Sequence, residues 1–342
     1  MSLNRLIAAS LVSALAACGG GGGDEPPAQG SSPMAGSAAS TLVASVPAPS
    51  YSANSEELAA FRTVNAERQA CGFGQLAQRS TLDTAAQGHA DWNLINGFFG
   101  HFQTTGTQGF TGVADRDRLL AAGYSPLATD FSVSDLNVVI DGGTSTTGMG
   151  ADSIRALLNA PYHSIFLLDG YKDIGLSVRS TNDVTRLGSA PTGRTLQVNL
   201  AYKFADQAQL IASNDVMTYP CQGSTGVVPA LRGESPNPVP GRDLGANPLG
   251  STITLLARQG QQLVITSASL TRVDDNTTVS LRMPVTSAND PNAGFLRSHH
   301  AYVSADAPMA SNTTYRAVMS GTNNGVAFSK DFTFTTGLDS GI

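Results

Sequence analysis

The stretch N-A-P-Y-H-S-I-F-L-L-D, residues 159–169, places a histidine between a proline and an apolar run. Pro161 is expected to end a helix that begins near residue 150, because proline lacks an amide hydrogen and crowds the preceding turn. His163 is one of only five histidines in 342 residues. Its ring either fills a core through hydrogen bonds to the backbone or faces a cavity, and the residues alone leave both interpretations open.

On both sides of this stretch, over residues 53–221, the pattern alternates irregularly between helices and strands. Asn54 and Glu57 form a predicted capping pair for a first helix, and apolar residues recur at helical spacing over 80–97 and 115–122. Strand-like runs cover 136–140, 174–179 and 196–204. Since helices and strands mix without regular βαβ alternation, residues 53–221 are predicted to form an α+β layered domain.

Downstream the composition changes twice. Residues 222–250 are rich in proline and turn formers, which predicts a linker. Residues 251–338 contain six short strand candidates separated by Gly, Asn, Asp and Pro, which predicts a β-sandwich. The candidates lie at 252–257, 262–270, 278–283, 300–304, 313–320 and 326–335. His299 and His300 are adjacent in this predicted β-domain, and neighbouring strand residues point to opposite faces, so a chelating pair is not expected there.

The composition argues against a nucleic-acid partner. Lys and Arg total 20 against 26 Asp and Glu, which gives a net charge of −6, and no basic run with interleaved aromatic residues occurs. No G-x-S-x-G segment occurs either, so a serine hydrolase of that type is not supported.

The N-terminus has the pattern of an export signal. Arg5 precedes an apolar run, and the segment L-A-A-C at residues 15–18 resembles the lipobox of bacterial lipoproteins. By that resemblance residues 1–17 are a signal peptide, Cys18 carries the lipid anchor, and Gly19 implies sorting to the outer membrane. The alternative is an ordinary signal peptide with a stray cysteine. Residues 18–52, with little charge and no apolar periodicity, are predicted to be a flexible tether.

Two cysteines remain after Cys18, namely Cys71 and Cys221. In an exported protein, two remaining cysteines are predicted to form one disulfide, here Cys71–Cys221. Two buried free thiols are the alternative.

Four segments occur in an order that resembles the CAP superfamily of cysteine-rich secretory, antigen 5 and pathogenesis-related proteins. They are V-N-A-E-R (64–68), N-G-F-F-G-H-F (96–102), D-R-D-R-L-L-A-A-G-Y (115–124) and A-P-Y-H-S-I-F-L-L-D (160–169). The resemblance covers about residues 54–205 and implies a three-layer α-β-α sandwich with a central cavity. The segments S-N-T-T-Y-R-A-V-M-S-G (311–321) and K-D-F-T-F-T-T-G (330–337) resemble bacterial immunoglobulin-like (Ig-like) repeats, which implies an Ig-like β-sandwich at the C-terminal end.

The CAP resemblance places His101 and His163 in the cavity. The family's cavity glutamate has no counterpart in V-S-D-L-N-V-V-I-D-G-G (133–143), where Asp135 is the expected substitute and Asn137 or Asp141 are alternatives. The arginine that follows the second histidine in the family is replaced by Ser164. Histidine binds transition metals and transfers protons near neutral pH, so zinc is the candidate cofactor for this set. The alternative is that His101 and His163 hydrogen-bond to the backbone and hold loops together. His89, on the apolar stripe of its helix, is expected to be a core residue.

Three functions follow as expectations. The first is binding of a small, partly apolar ligand or a surface protein by an exported protein that is attached to the membrane through its lipid anchor. The second is a metal-assisted hydrolase of the cell envelope that uses His101, His163 and Asp135. The third is a structural or adhesion role. Whether the chain is an enzyme stays open at this point.

Overall fold

The computed structural model describes residues 37–189, 191–339 and 341. The predicted signal peptide and Cys18 lie outside these residues. Residues 37–339 belong to one compact unit. No helix among the described residues is long and apolar enough to cross a bilayer.

The first half of the unit contains five helices and a four-stranded sheet. The helices are α1 (Glu56–Ala70), α2 (Ser80–Asn96), α3 (Asp115–Ala121), α4 (Met149–Asn159) and α5 (Pro161–Leu168), and the strands are β1 (Ala77–Gln78), β2 (Phe131–Asp141), β3 (Asp173–Ser180) and β4 (Gly193–Lys203). The strand order is β1-β3-β4-β2, with β1 and β3 parallel and the other pairs antiparallel. The α+β class predicted from the sequence is confirmed at this level.

Helices cover both faces of the sheet. Apolar residues of α1, α4 and α5 share the main core with Leu176 of β3 and Val198 of β4. On the opposite face, Leu82 of α2 and Leu119 of α3 pack with Phe131 and with Ala201 of β4. Strand β2 lies at an edge of the sheet, so its outer side is not paired with another strand of that sheet.

The cap of α1 and the presence of α5 differ from the sequence prediction. Asn54 has a left-handed φ of 63°, and Ser55 is the residue whose side chain accepts from the Leu58 N–H at 3.1 Å. Pro161 ends α4, as expected, but it also begins the unpredicted helix α5. Proline suits the first helical position because the amide hydrogen that it lacks would have no partner there.

The second half contains two antiparallel sheets. Their strands are β5 (Val216–Tyr219), β6 (Thr252–Ala257), β7 (Leu263–Arg272), β8 (Val285–Thr286), β9 (His300–Ser304), β10 (Thr314–Asn323) and β11 (Val326–Thr335). The orders are β11-β10-β7 and β5-β6-β9-β8. Apolar residues from both sheets share one core, so the sheets pack as a sandwich. The candidate strand at 278–283 is not a strand; it forms only isolated bridges, Thr271–Thr278 and Leu281–Ala305.

The two halves are packed together through β6. Every residue of this strand is buried, because one face joins the sandwich core while Leu256, on the other, joins the core of the first half. Thr254 bonds Ser164 of α5 at 2.9 Å, and the Thr252 N–H donates to Asn159 at the end of α4. The disulfide Cys71–Cys221 is present, as predicted, and it joins the end of α1 to the residue two places after β5.

Two segments expected to be loose are held against the folded unit. In the described part of the predicted tether, the Thr41 N–H donates to the Leu210 carbonyl at 2.9 Å and the Val43 N–H donates to Gln209 at 2.8 Å. In the predicted linker, Leu231 and Leu249 are buried and bond each other through their backbones. Composition did not reveal these contacts because they depend on partners that are distant in sequence.

Candidate functional site

A cavity of about 650 Å³ lies beside the edge strand β2. Its walls come from the loop after α2, from β2, from the α4–α5 corner, and from residues 228–235 of the predicted linker. Both histidines singled out by the sequence line it, together with Phe99, Asn137, Leu157, Ala160, Leu231 and Glu234. Its volume is in the range of small-molecule sites, and most of its lining is apolar with a few polar groups.

His101 is held on one wall by the buried carboxylate of Asp135. The His101 Nδ1 lies 3.2 Å from Asp135 Oδ1, and the Arg118 Nη2 donates to Asp135 Oδ2 at 3.0 Å. Gln197 of β4 donates to the same Oδ2 at 3.1 Å. The side chain of Arg118 is completely buried and also donates to the His101 carbonyl at 3.0 Å. Arg118 therefore fixes both the carboxylate and the backbone that carries His101.

Hydrogen bonds and neighbouring charges shift the pKa values of Asp135 and His101. Burial alone would raise the pKa of Asp135, but the His101 hydrogen bond and the charges of His101 and Arg118 hold it below its ordinary value. That hydrogen bond raises the pKa of His101. Since an ionised carboxylate can only accept, the Nδ1 of His101 must donate to it. The Nε2 of His101 is left for a ligand, on a side chain that is 38 % exposed.

His89 is a core residue, as expected. Its ring is fully buried; its Nε2 bonds the Gly100 carbonyl at 2.8 Å and its Nδ1 bonds the Gln103 amide at 3.1 Å. Burial, with the Arg118 charge, lowers the pKa of His89 to about 4, so the ring is neutral near pH 7. Its bond to Gly100 anchors the residue just before His101.

His163 is held on another wall by Glu234. The Glu234 Oε1 accepts from the backbone N–H groups of Tyr162 and His163, at 2.7 and 3.2 Å, and lies 3.2 Å from His163 Nδ1. Glu234 therefore satisfies amides of the first turn of α5 and orients the imidazole at the same time. Its Oε2 is buried and without a hydrogen-bond partner, and burial raises the pKa of Glu234.

Glu234 is the functional residue that the sequence analysis missed. The family resemblance implies a cavity glutamate near the start of β2, whereas this carboxylate comes from R-G-E-S-P-N-P, inside the predicted linker. The only indication of Glu234 in the sequence was a single glutamate within a proline-rich segment. Such a residue looks solvent-exposed until the segment is seen to line the cavity.

The other candidates have lesser roles. Asn137 lines the cavity and donates to the Gly100 carbonyl at 3.4 Å. Asp141 also lines it but is exposed at the end of β2, so neither residue replaces Asp135 as the partner of His101. Ser164 does not face the cavity; it bonds Thr254 of the second half.

The two histidines do not form a preorganised zinc site with Asp135. Both oxygens of Asp135 are already engaged, one with His101 and the other with Arg118 and Gln197. Across residues 37–189, 191–339 and 341, no group of three potential ligands within reach of one ion includes His101 or His163. The zinc expectation for this cavity therefore does not fit the side chains present.

No protein-family model matches the chain, and a search of curated proteins finds none with significant similarity.

Replacing Asp135 by alanine should lower the free energy of unfolding by about 3–5 kcal/mol, because it leaves the buried Arg118 charge without its carboxylate. Asp141→Ala, an exposed change on the same strand, is the matched control and should cost less than about 0.5 kcal/mol. Urea denaturation of both variants measures the two values. Equal effects would show that the Asp135 cluster does not support this wall.

The pairing of His101 should make stability depend on pH. A histidine whose pKa is raised in the folded state stabilises that state. This contribution is complete below the pKa of the unfolded state, about 6.5, and is lost as pH rises through the pKa of the folded state. We expect the free energy of unfolding of wild type to exceed that of His101→Gln by less than about 1 kcal/mol at pH 5.5, since the side chain is partly exposed. At pH 9 we expect a still smaller difference. Urea denaturation at the two pH values tests this, and a difference that grows with pH would contradict it.

Proposed function

We propose that the chain is an exported, lipid-anchored protein of the CAP type whose cavity binds a small, partly apolar ligand with a polar head. The observation that carries this proposal is that His101 and His163 line one cavity, each with its Nδ1 on a carboxylate. A ring that donates from Nδ1 presents its Nε2 as an acceptor while neutral and as a donor when protonated. The polar head of the ligand is expected to bond these two nitrogens.

The remainder of the cavity suits the apolar part of such a ligand. Leu157, Ala160 and Leu231 supply apolar lining. Phe98 and Phe102, which flank the lining segment 99–101, are 54 % and 65 % exposed. Exposed aromatic side chains next to a cavity are typical of surfaces that contact an apolar partner.

The fold supports the family part of the proposal. Helices on both faces of one mixed sheet, with a cavity at the two histidines, agree with the α-β-α sandwich that the resemblance implies. The two-sheet sandwich of the second half agrees with an Ig-like domain. Export, the lipid anchor and the outer-membrane location rest on the sequence of residues 1–19 alone.

The ligand proposal is tested by titrating a fluorescent fatty acid into residues 37–342 and competing it with a panel of fatty acids and sterols. We expect saturable binding that weakens about tenfold or more in His101→Ala/His163→Ala, because two hydrogen bonds to the head are lost. Ala156→Trp, which places a bulky side chain in the cavity wall and leaves both histidines unchanged, should abolish binding.

Ala121→Trp, at an exposed position on α3 outside the cavity, is the control and should bind as wild type does. Binding that Ala156→Trp leaves intact would place the ligand elsewhere. No saturable binding across the panel would favour a structural or adhesion role instead.

A further inference from the structure

A second cluster of histidines lies far along the chain from the cavity residues. Asp169 follows α5 directly, while His299 and His300 stand at the start of β9. The His299 Nε2 is 3.9 Å from Asp169 Oδ1, and the His300 Nε2 is 3.7 Å from Asp169 Oδ2. The two imidazole centroids are 4.0 Å apart. The sequence expectation that these histidines point to opposite faces is wrong, because β9 begins at His300 and His299 precedes the regular strand.

Two polar atoms of this cluster have no hydrogen-bond partners. The Nε2 atoms of His299 and His300 are buried and unbonded, since 3.7–3.9 Å is too long for a hydrogen bond. Both side chains are at most 3 % exposed, and leaving such groups unpaired is costly. Two imidazole Nε2 atoms therefore lie next to one carboxylate without bonding it.

Asp169 has no guanidinium bonded to its carboxylate among the described residues, although the charge of Arg68 acts on it. Its Oδ1 accepts from the Gly170 N–H at 2.8 Å, while Arg68 bonds only its backbone carbonyl, at 3.2 Å. By contrast, the buried carboxylate of Asp135 is paired with Arg118. A carboxylate that two imidazoles face, with no cationic side chain bonded to it, is a donor set that suits a divalent transition metal.

We propose that Asp169, His299 and His300 bind a zinc ion that joins the two halves of the folded unit. One ligand atom from each residue can be chosen so that all three lie within 4.8 Å of one another. Tetrahedral zinc with bonds of about 2.0–2.2 Å would place its ligand atoms about 3.3–3.6 Å apart, so small side-chain rotations bring the three together. With three protein ligands, the fourth position is left for water.

One hydrogen bond must be given up when the ion binds. The His300 Nδ1 accepts from the Arg297 N–H at 3.2 Å, so the neutral ring carries its proton on Nε2. Coordination through Nε2 moves that proton to Nδ1 and breaks this bond. The competing arrangement keeps this bond and holds no metal.

The site would link the cavity to the sandwich. Helix α5 has His163 in its first turn and Asp169 directly after its last residue, so a metal at Asp169 would tie this helix to β9. This site shares no residue with the cavity, and the proposal does not depend on the ligand proposed above.

The test is zinc titration by calorimetry, with thermal denaturation in parallel, on metal-free residues 37–342. We expect one equivalent of Zn²⁺ to bind and to raise the Tm, because a ligand of the folded state stabilises it. Asp169→Asn preserves the size of the side chain but removes its charge, and it should weaken zinc binding by about tenfold or more. The Tm of each variant without zinc shows whether it folds.

His101→Ala/His163→Ala is the matched control and should bind zinc as tightly as wild type. Cobalt substitution should give a d–d absorption band in wild type and in this control, and none in His299→Ala. The proposal is overturned if wild type binds no zinc, if Asp169→Asn binds it equally well, or if the cavity double variant loses it. NMR detection of a protonated His299 or His300 near pH 7 in the presence of excess zinc would also overturn it.

Discussion

The buried carboxylate of Asp135 is the constraint on which the first wall of the cavity depends. It receives the imidazole of His101, the guanidinium of Arg118 and the amide of Gln197, which come from a loop, a helix and the neighbouring strand. Removing a charged group of this kind from water is costly, and only a complete set of donors makes it tolerable. The position of His101 therefore follows from satisfying a buried charge, with His89 securing the adjacent Gly100.

The second wall is built by a different part of the chain on the same principle. Glu234 reaches back from the segment between the two halves, accepts two amides at the start of α5 and pairs with His163. The cavity is thus completed by residues beyond the segments that carry the family resemblance. The burial of β6 on both faces, and the Cys71–Cys221 disulfide, hold that segment in place.

Periodic patterns predicted most of the elements in this fold. The helical stripes over 80–97 and 115–122 correspond to α2 and α3, and the runs near 136, 174 and 196 correspond to β2, β3 and β4. Local pattern could not predict α5, because the proline that ends one helix also begins the next. It also could not predict that residues 37–52 and 222–250 pack, because their partners lie far away in sequence.

A residue of the site could be predicted only where the sequence segment around it indicated its role. His101 and His163 stood out by family spacing, and Asp135 stood out as the acidic residue nearest to the expected position. Glu234 had no local signal, since only the folded chain brings it to His163. The pair His299–His300 was assigned by strand alternation, which fails at the first residue of a strand.

The central claim is that both cavity histidines donate from Nδ1 to a carboxylate and present Nε2 to a ligand. Nitrogen-15 NMR of the imidazole rings at pH 9, assigned with His→Gln variants, measures the tautomer of each ring directly. We expect the Nδ1–H tautomer for His101 and His163, and a change in the Nε2 chemical shift of both rings when a ligand binds. An Nε2–H tautomer at either histidine would contradict it.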